Sequence, residues 1–259
     1  MSAQHDIWDP AQYARFGNER LRPALDLLSQ VHATAPRQVI ELGCGTGALT
    51  AMMKARWPDA RVLGLDGSEK MLAQARDTYP ACRFERADIA RWTPAEPCDV
   101  LFSNAALQWL PDHATLVPRL ARAVRSAGWL ALQMPAMHDE PLRRLQVELA
   151  RDARWVRWLG QVPAQPPILD AADYYDLLQP LCARIEIWQT TYLHALAGEH
   201  AVLEWASGTS LRPYLEALPE AERASFKAAY AQATDGVYRP AADGRTLLPF
   251  KRVFIVAQL

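Results

Sequence analysis

Cysteine is scarce in this chain. The four present, Cys44, Cys82, Cys98 and Cys182, stand far apart, with no C-x-x-C pair and no Cys/His cluster. That spacing argues against a zinc site or a disulfide framework. An excess of one charge is also missing: 28 Lys and Arg face 29 Asp and Glu, a net charge of -1. With no basic run either, a nucleic-acid partner is not expected. No apolar run approaches the roughly 20 residues that cross a bilayer. The first ten residues are polar and carry no apolar signal core. The expected setting is therefore the cytoplasm, away from membranes. No internal repeat or low-complexity tract is visible. What the chain does have is apolar content: half of its 259 residues are hydrophobic, enough for one sizeable core.

The order of patterns along the chain is informative. Residues 10–31 read as a helix, with Leu21, Leu25 and Leu28 at helical spacing. Short apolar strands then alternate with helical stretches. Strands are expected over 38–42, 61–65, 82–85, 99–103 and 129–134, with helices over 48–57, from 69 behind an N-cap at Ser68, and over 112–125. Such alternation specifies a parallel sheet covered by helices on both faces. Beyond it, 140–159 reads as one helix with Leu142, Leu145, Leu149 and Trp155 as its apolar face. Pro163, Pro166 and Pro167 form a break. A helix over 173–181, a strand over 185–192, a largely helical stretch over 199–238 and a last strand over 252–256 complete the pattern. The helical stretch is expected to be an insertion covering the sheet's open edge.

The sharpest local signal is Glu41-Leu42-Gly43-Cys44-Gly45-Thr46-Gly47, lying between the first strand and its helix. Glycines accept a tight turn and let a ligand come close to the backbone, beside the free N–H groups of a helix start. Asp66 ends the next strand, where a carboxylate can accept from both hydroxyls of a ribose. Gly43, Gly45 and Ala48 also satisfy the dinucleotide pattern G-x-G-x-x-A, so the turn alone does not choose between NAD and S-adenosylmethionine (SAM). Asp88, after the third strand, is placed to reach an adenine amino group. Asn104, after the fourth, is placed where a methionine moiety would lie. Ligand-type residues at successive strand ends favour SAM, because open α/β sheets bind ligands at those ends.

At these residues the sequence resembles the class I SAM-dependent methyltransferases. Over nearly its whole length it is most similar to the trans-aconitate 2-methyltransferase family. The matching segments are Trp8-Asp9-Pro10, the stretch 19–24, the glycine turn, the stretch 103–113, Gln133-Met134-Pro135, the stretch 208–215 and 243–257. The resemblance implies one methyltransferase domain over 1–259: an N-terminal helical segment (1–34), a SAM-binding core (35–135) and a substrate side (136–259). It implies a Rossmann-like, doubly wound, mostly parallel seven-stranded sheet with the last strand antiparallel. It also implies Glu41, Gly43, Cys44, Gly45, Gly47, Asp66, Asp88, Ile89 and Asn104 as cofactor residues, S-adenosylhomocysteine as product, no metal, and a monomethyl ester of a small tricarboxylic acid. The chain departs from the family at Ala136-Met137, where an Asp-Asn pair is usual, and at Ser210, where Gly is common. The region 138–167 matches poorly.

A carboxylic acid with a pKa near ~4 is already a nucleophilic carboxylate at neutral pH. Its methylation needs alignment, not a strong base. No catalytic histidine is therefore assigned, and His113 is expected to be a partly exposed residue at a helix start. Recognising a polycarboxylate calls for guanidinium groups. The candidates for the substrate side are Arg20, Arg22, Arg212 and Arg245, with Tyr13 and Tyr214 as hydroxyl donors and Trp109 as a wall. The N-terminal helix is expected to close over the cofactor. Competing readings are another acid as acceptor (such as a malonyl thioester on a carrier protein), an NAD-dependent oxidoreductase, and a non-catalytic SAM-binding module.

Overall fold

A computed structural model of the chain describes residues 17–163 and 166–259, with side chains from residue 21 onward. Seven strands form one sheet in the order β3-β2-β1-β4-β5-β7-β6. They are β1 (Gln38–Leu42), β2 (Arg61–Asp66), β3 (Arg83–Arg86), β4 (Cys98–Asn104), β5 (Val124–Pro135), β6 (Arg184–Leu196) and β7 (Thr246–Gln258). β1 to β5 pair in parallel, and β7 runs antiparallel to both of its neighbours. The sheet order reverses between β1 and β4, and such a switch point leaves a crevice outside the strand ends.

Both faces of the sheet are buried, as near-continuous apolar strands require. One face packs Ile40, Leu101, Leu130 and Leu132 against α4 (His113–Ala121) and α7 (Ala171–Leu178). The other packs Val39, Val100, Phe102 and Ala131 against α1 (Gly17–Ser29) and α2 (Ala48–Arg56). Helix α1 offers Ala24, Leu27 and Leu28 at helical spacing and has no basic residue in its last turn. Arg56 of α2 fills that role, donating to the carbonyls of Leu28 at 2.5 Å and Val31 at 2.6 Å. A cation there complements the negative end of the helix dipole. Ser68 caps α3 (Glu69–Thr78) by accepting from Met71 N at 3.2 Å, a contact typically worth ~1 kcal/mol.

Two expectations fail beyond β5. The stretch 140–159 is two helices, α5 (Pro141–Ala150) and α6 (Val156–Leu159). Asp152 breaks it: its carboxylate accepts from Arg154 N at 2.9 Å and Arg154 Nε at 3.0 Å, a local turn that competes with helix. The insertion comprises α8 (Ala201–Ser207), α9 (Arg212–Ala217) and α10 (Glu220–Val237), and it does not lie along the open edge. β6 and β7 pair from Arg184 to Leu196, whereas β5 reaches only Arg252 of β7, so the last two strands overhang the sheet. The insertion packs on that overhang and on α5 through Leu196, Trp205, Leu211, Phe226, Tyr230 and Leu248. Apolar residues on the overhang, invisible as such in the sequence, give it a second core. No described helix is long and apolar enough to cross a membrane.

Candidate active site

The turn after β1 is shaped by positive φ angles at Gly43 (77°), Gly45 (52°) and Gly47 (83°). Two of these glycines are needed for packing. A Cβ on Gly43 would meet that of Ala106 at 2.2 Å, and one on Gly47 would meet the Phe84 ring at 2.6 Å. Gly45 differs, since a Cβ there would meet nothing within 4 Å. It borders open space at the carboxyl end of β1, and its bare backbone is what a ligand would approach. Cys44 turns its thiol inward among Leu72, Ala75 and Phe84, and burial pushes its pKa up. That leaves its backbone to form the turn.

Asp66 ties the turn to the end of β2. Its Oδ2 accepts from Gly45 N and its Oδ1 from Ser68 N, both at 2.8 Å. Glu41 lies beneath the turn, buried, and its carboxylate accepts the Thr50 hydroxyl. Burial pushes Glu41 up to about 7, opposed by the Thr50 bond and reinforced by Asp66. Asp88 is exposed after β3, with Oδ1 accepting from Ala90 N at 3.0 Å. Ile89 packs against the core beside it.

The loop that carries Asp88 and Ile89 is held by a residue the sequence did not single out. Arg119 of α4 donates to the carbonyls of Ile89 at 3.1 Å, Ala90 at 2.9 Å and Trp92. Asn104 ends β4 opposite Gln133 of β5. Its Oδ1 is buried and accepts no hydrogen bond, and Gln133 Nε2 is likewise buried without an acceptor. A polar atom left so at a strand end is costly unless a ligand supplies the partner. Together the open face at Gly45, the Asp66 carboxylate at the end of β2 and the orphaned Asn104 oxygen fit an adenosyl amino-acid cofactor across the switch point. Among the described residues, no three His, Cys, Asp or Glu side chains stand together to hold a metal.

His113 differs from its expected exposure. It follows the Asp112 cap, yet its ring is buried. Nδ1 accepts from the Tyr174 hydroxyl at 2.5 Å and Nε2 donates to Leu107 O at 2.9 Å. Helix α4 turns this first residue onto the α7 face instead of toward water. Burial lowers its pKa, opposed by the bond to Leu107. Both ring nitrogens are committed to the fold.

The substrate-side candidates separate. Tyr13 and the Arg20 side chain lie outside the described residues. Arg22 is 74% exposed and 4.0 Å from Asp26. Arg245 is 57% exposed and 3.9 Å from Asp243. Arg212 is 16% exposed and sits 3.5 Å from Glu216, one turn along α9. Tyr214, two residues on and so on another side of that helix, is buried and lines a cavity of 340 Å³. This cavity adjoins Pro135 at the end of β5 and is walled by Arg143, Arg144 and Gln146 of α5 and by Arg151 just after it. Trp109, on the turn after β4, stands with its ring 6.0 Å from the Arg143 guanidinium. Arg143 is not legible from sequence, since it sits in the stretch with poor family likeness and its charge alone is unremarkable.

The departures find partners here. Met137 is buried in the second core, and its sulfur accepts from Lys251 N at 3.3 Å. Ser210 Oγ accepts from Gln146 Nε2 at 2.7 Å, tying the segment before α9 to α5.

Comparison with known proteins matches a methyltransferase domain to residues 39–128. The trans-aconitate 2-methyltransferase of Azoarcus sp. (strain BH72) is 48% identical over 96% of this chain and 98% of its own length. That of Paracidovorax citrulli is 47% identical over 98% of both chains. Among solved structures, Haemonchus contortus phosphoethanolamine N-methyltransferase 2, in complex with S-adenosylmethionine, superposes with a TM-score of 0.56 at 16% identity. That match covers 96% of this chain and 56% of the other.

Proposed function

The chain belongs to the trans-aconitate 2-methyltransferase family of SAM-dependent methyltransferases, and on that premise we propose that it esterifies one carboxylate of a small tricarboxylic acid, trans-aconitate first. The observation that carries the acid is the reach of the likeness. The domain match stops at residue 128, whereas the relatives match 96–98% of the chain, the substrate side beyond β5 included.

In this reading residues 35–135 hold the donor and 136–259 hold the acid. SAM supplies a methyl group on a positively charged sulfur. The acid's carboxylate oxygen bonds to that carbon, the carbon–sulfur bond breaks, and sulfur keeps the electron pair, giving S-adenosylhomocysteine and the ester with no proton transferred. Gly43, Gly45 and Gly47 would cradle the amino-acid end of the donor, with Glu41 beneath. Asp66 would accept from the ribose, Asp88 and Ile89 would flank the adenine, and Asn104 Oδ1 would gain its missing donor. Trp109 would wall the transfer point and Tyr214 would face the acid. Because the nucleophile is already ionised, these residues act by orientation and by excluding water, which can supply roughly 7–11 kcal/mol in favourable cases.

The test is release of S-adenosylhomocysteine from SAM with a panel of trans-aconitate, cis-aconitate, isocitrate, citrate, itaconate and a malonyl thioester, with ester mass as second readout. Fastest turnover of trans-aconitate upholds the reading. Fastest turnover of the thioester would move the enzyme to carrier-bound substrates.

A further inference from the structure

We propose that Arg143, walling the cavity at the end of β5, is the residue by which the site grips a carboxylate of the acid other than the one methylated, and so selects a multiply charged acid. The inference rests on the polycarboxylate reading above and adds to it the group that recognises the extra charge.

The cavity's charge is one-sided. Arg143, Arg144 and Arg151 line it against one carboxylate, Glu148, while Pro135, Met137 and Ile168 supply apolar contacts. Its 340 Å³ lies at the small end of the about 300–1,000 Å³ usual for small-molecule sites, and suits a compact acid. Arg144 and Arg151 are exposed at the rim, whereas Arg143 is half-buried.

The setting of Arg143 favours an anion beside it. It occupies the first turn of α5, where the helix dipole disfavours a cation. Burial pulls its pKa down to about 10, opposed by the neighbouring phenols of Tyr230 and Tyr214. An anion in the cavity complements both the helix start and the guanidinium, and a planar guanidinium can hold a carboxylate through two parallel hydrogen bonds.

Its orientation is prepared in advance. Gln146 Nε2 donates to Ser210 Oγ at 2.7 Å and to Tyr230 Oη at 3.2 Å. Tyr230 in turn donates to Leu142 O at 3.0 Å. The remaining Gln146 oxygen accepts from Arg143 Nη1 at 3.5 Å. Helix α10 and the Ser210 segment therefore fix the face of α5 that carries the arginine. Trp109 connects this grip to the donor: it stands five residues after Asn104 and 6.0 Å from the guanidinium. In this reading one carboxylate of the acid meets the methyl group while another meets Arg143.

The test compares the full-length wild type with Arg143→Gln and Arg143→Lys. Three readouts are taken: affinity for S-adenosylhomocysteine, equilibrium binding of tricarballylate in its presence, and KM and kcat for trans-aconitate. Arg143→Gln should weaken tricarballylate binding and raise KM by about 30-fold or more, as loss of one partner of a buried charge pair does. Affinity for S-adenosylhomocysteine should stay within about twofold. Arg143→Lys keeps the charge without the fork and should fall between, about tenfold from wild type. Equal tricarballylate binding by wild type and Arg143→Gln, with S-adenosylhomocysteine binding intact, overturns the proposal. Should Arg143→Gln fail to fold, unchanged binding and KM in Arg143→Lys overturns it equally. If wild type turns over no polycarboxylate, the catalytic reading falls, but Arg143-dependent binding of tricarballylate still upholds the anion site. Absence of any tricarballylate binding by wild type overturns that too.

Discussion

The backbone amide of Gly45 donates to Asp66 Oδ2 at 2.8 Å, so the turn after β1 and the end of β2 form one unit. Asp66 therefore shapes the turn as well as facing the crevice. Asp66→Ala should cost SAM about 10- to 100-fold in affinity, the range of a lost charge-assisted bond of roughly 1.5–3 kcal/mol. Titration calorimetry with S-adenosylhomocysteine measures it. Affinity within a factor of two of wild type would remove Asp66 from the cofactor site.

Gly43 and Gly45 share a sign of φ but not an environment, so the same substitution should fail in different ways. Gly43→Ala drives a Cβ into Ala106 and should cost about 2–4 kcal/mol of stability from strain and overpacking. Gly45→Ala enters open space and should cost only about 1–2 kcal/mol in strain while weakening SAM binding more than tenfold. Urea melts and ligand titration of the pair separate the effects. A matched loss of stability in both would contradict the open face at Gly45.

Glu41 carries a stability signature in pH. Its folded pKa is about 7 against an ordinary 4.5, so the folded state binds the proton more tightly. Stability from this group is then greatest below about pH 4.5, declines up to about pH 7 and is flat above. Glu41→Gln should abolish that decline, gaining on the order of 3 kcal/mol over wild type across the window, while binding SAM less well. Parallel stability curves for the two proteins would show that the carboxylate is not desolvated.

The Tyr174–His113 contact tests whether any histidine takes part in transfer. Tyr174→Phe strips the buried Nδ1 of its donor and should cost about 1–3 kcal/mol of stability, with kcat within about twofold of wild type. Because burial lowers the His113 pKa, the folded state resists its protonation, and this part of stability is present above the ordinary histidine range and lost as pH falls below it. A pH–rate profile reshaped by Tyr174→Phe would return His113 to the mechanism.

The sequence is most legible where a short-range rule applies. β1 was bounded correctly at Gln38 and Leu42, and Ser68 was recognisable as a cap, because apolar runs, glycines and caps are local signals. Asp66 and Asn104 could be located because they end strands. The substrate side resists such reading. Arg22, Arg212, Arg245 and Arg143 are chemically identical in sequence, and only tertiary packing leaves two exposed, pairs one with Glu216 and sets one in a cavity. His113 departs from its expected exposure because a helix start often faces water, whereas α7 covers this one. The split of 140–159 was missed because an apolar repeat continues across a turn made by Asp152.

The overhanging pair of last strands also determines how this half comes apart. β6 has β7 as its hydrogen-bonded neighbour in the sheet, and α8, α9 and α10 are strung between the two. Local opening that frees β7 from β5 therefore releases the second core along with it. Slow amide exchange in native protein should group β6, β7 and α10 into one cooperative unit, distinct from the parallel strands that carry the glycine turn. The parallel strands and the glycine turn then stay formed while the two last strands and their helices breathe.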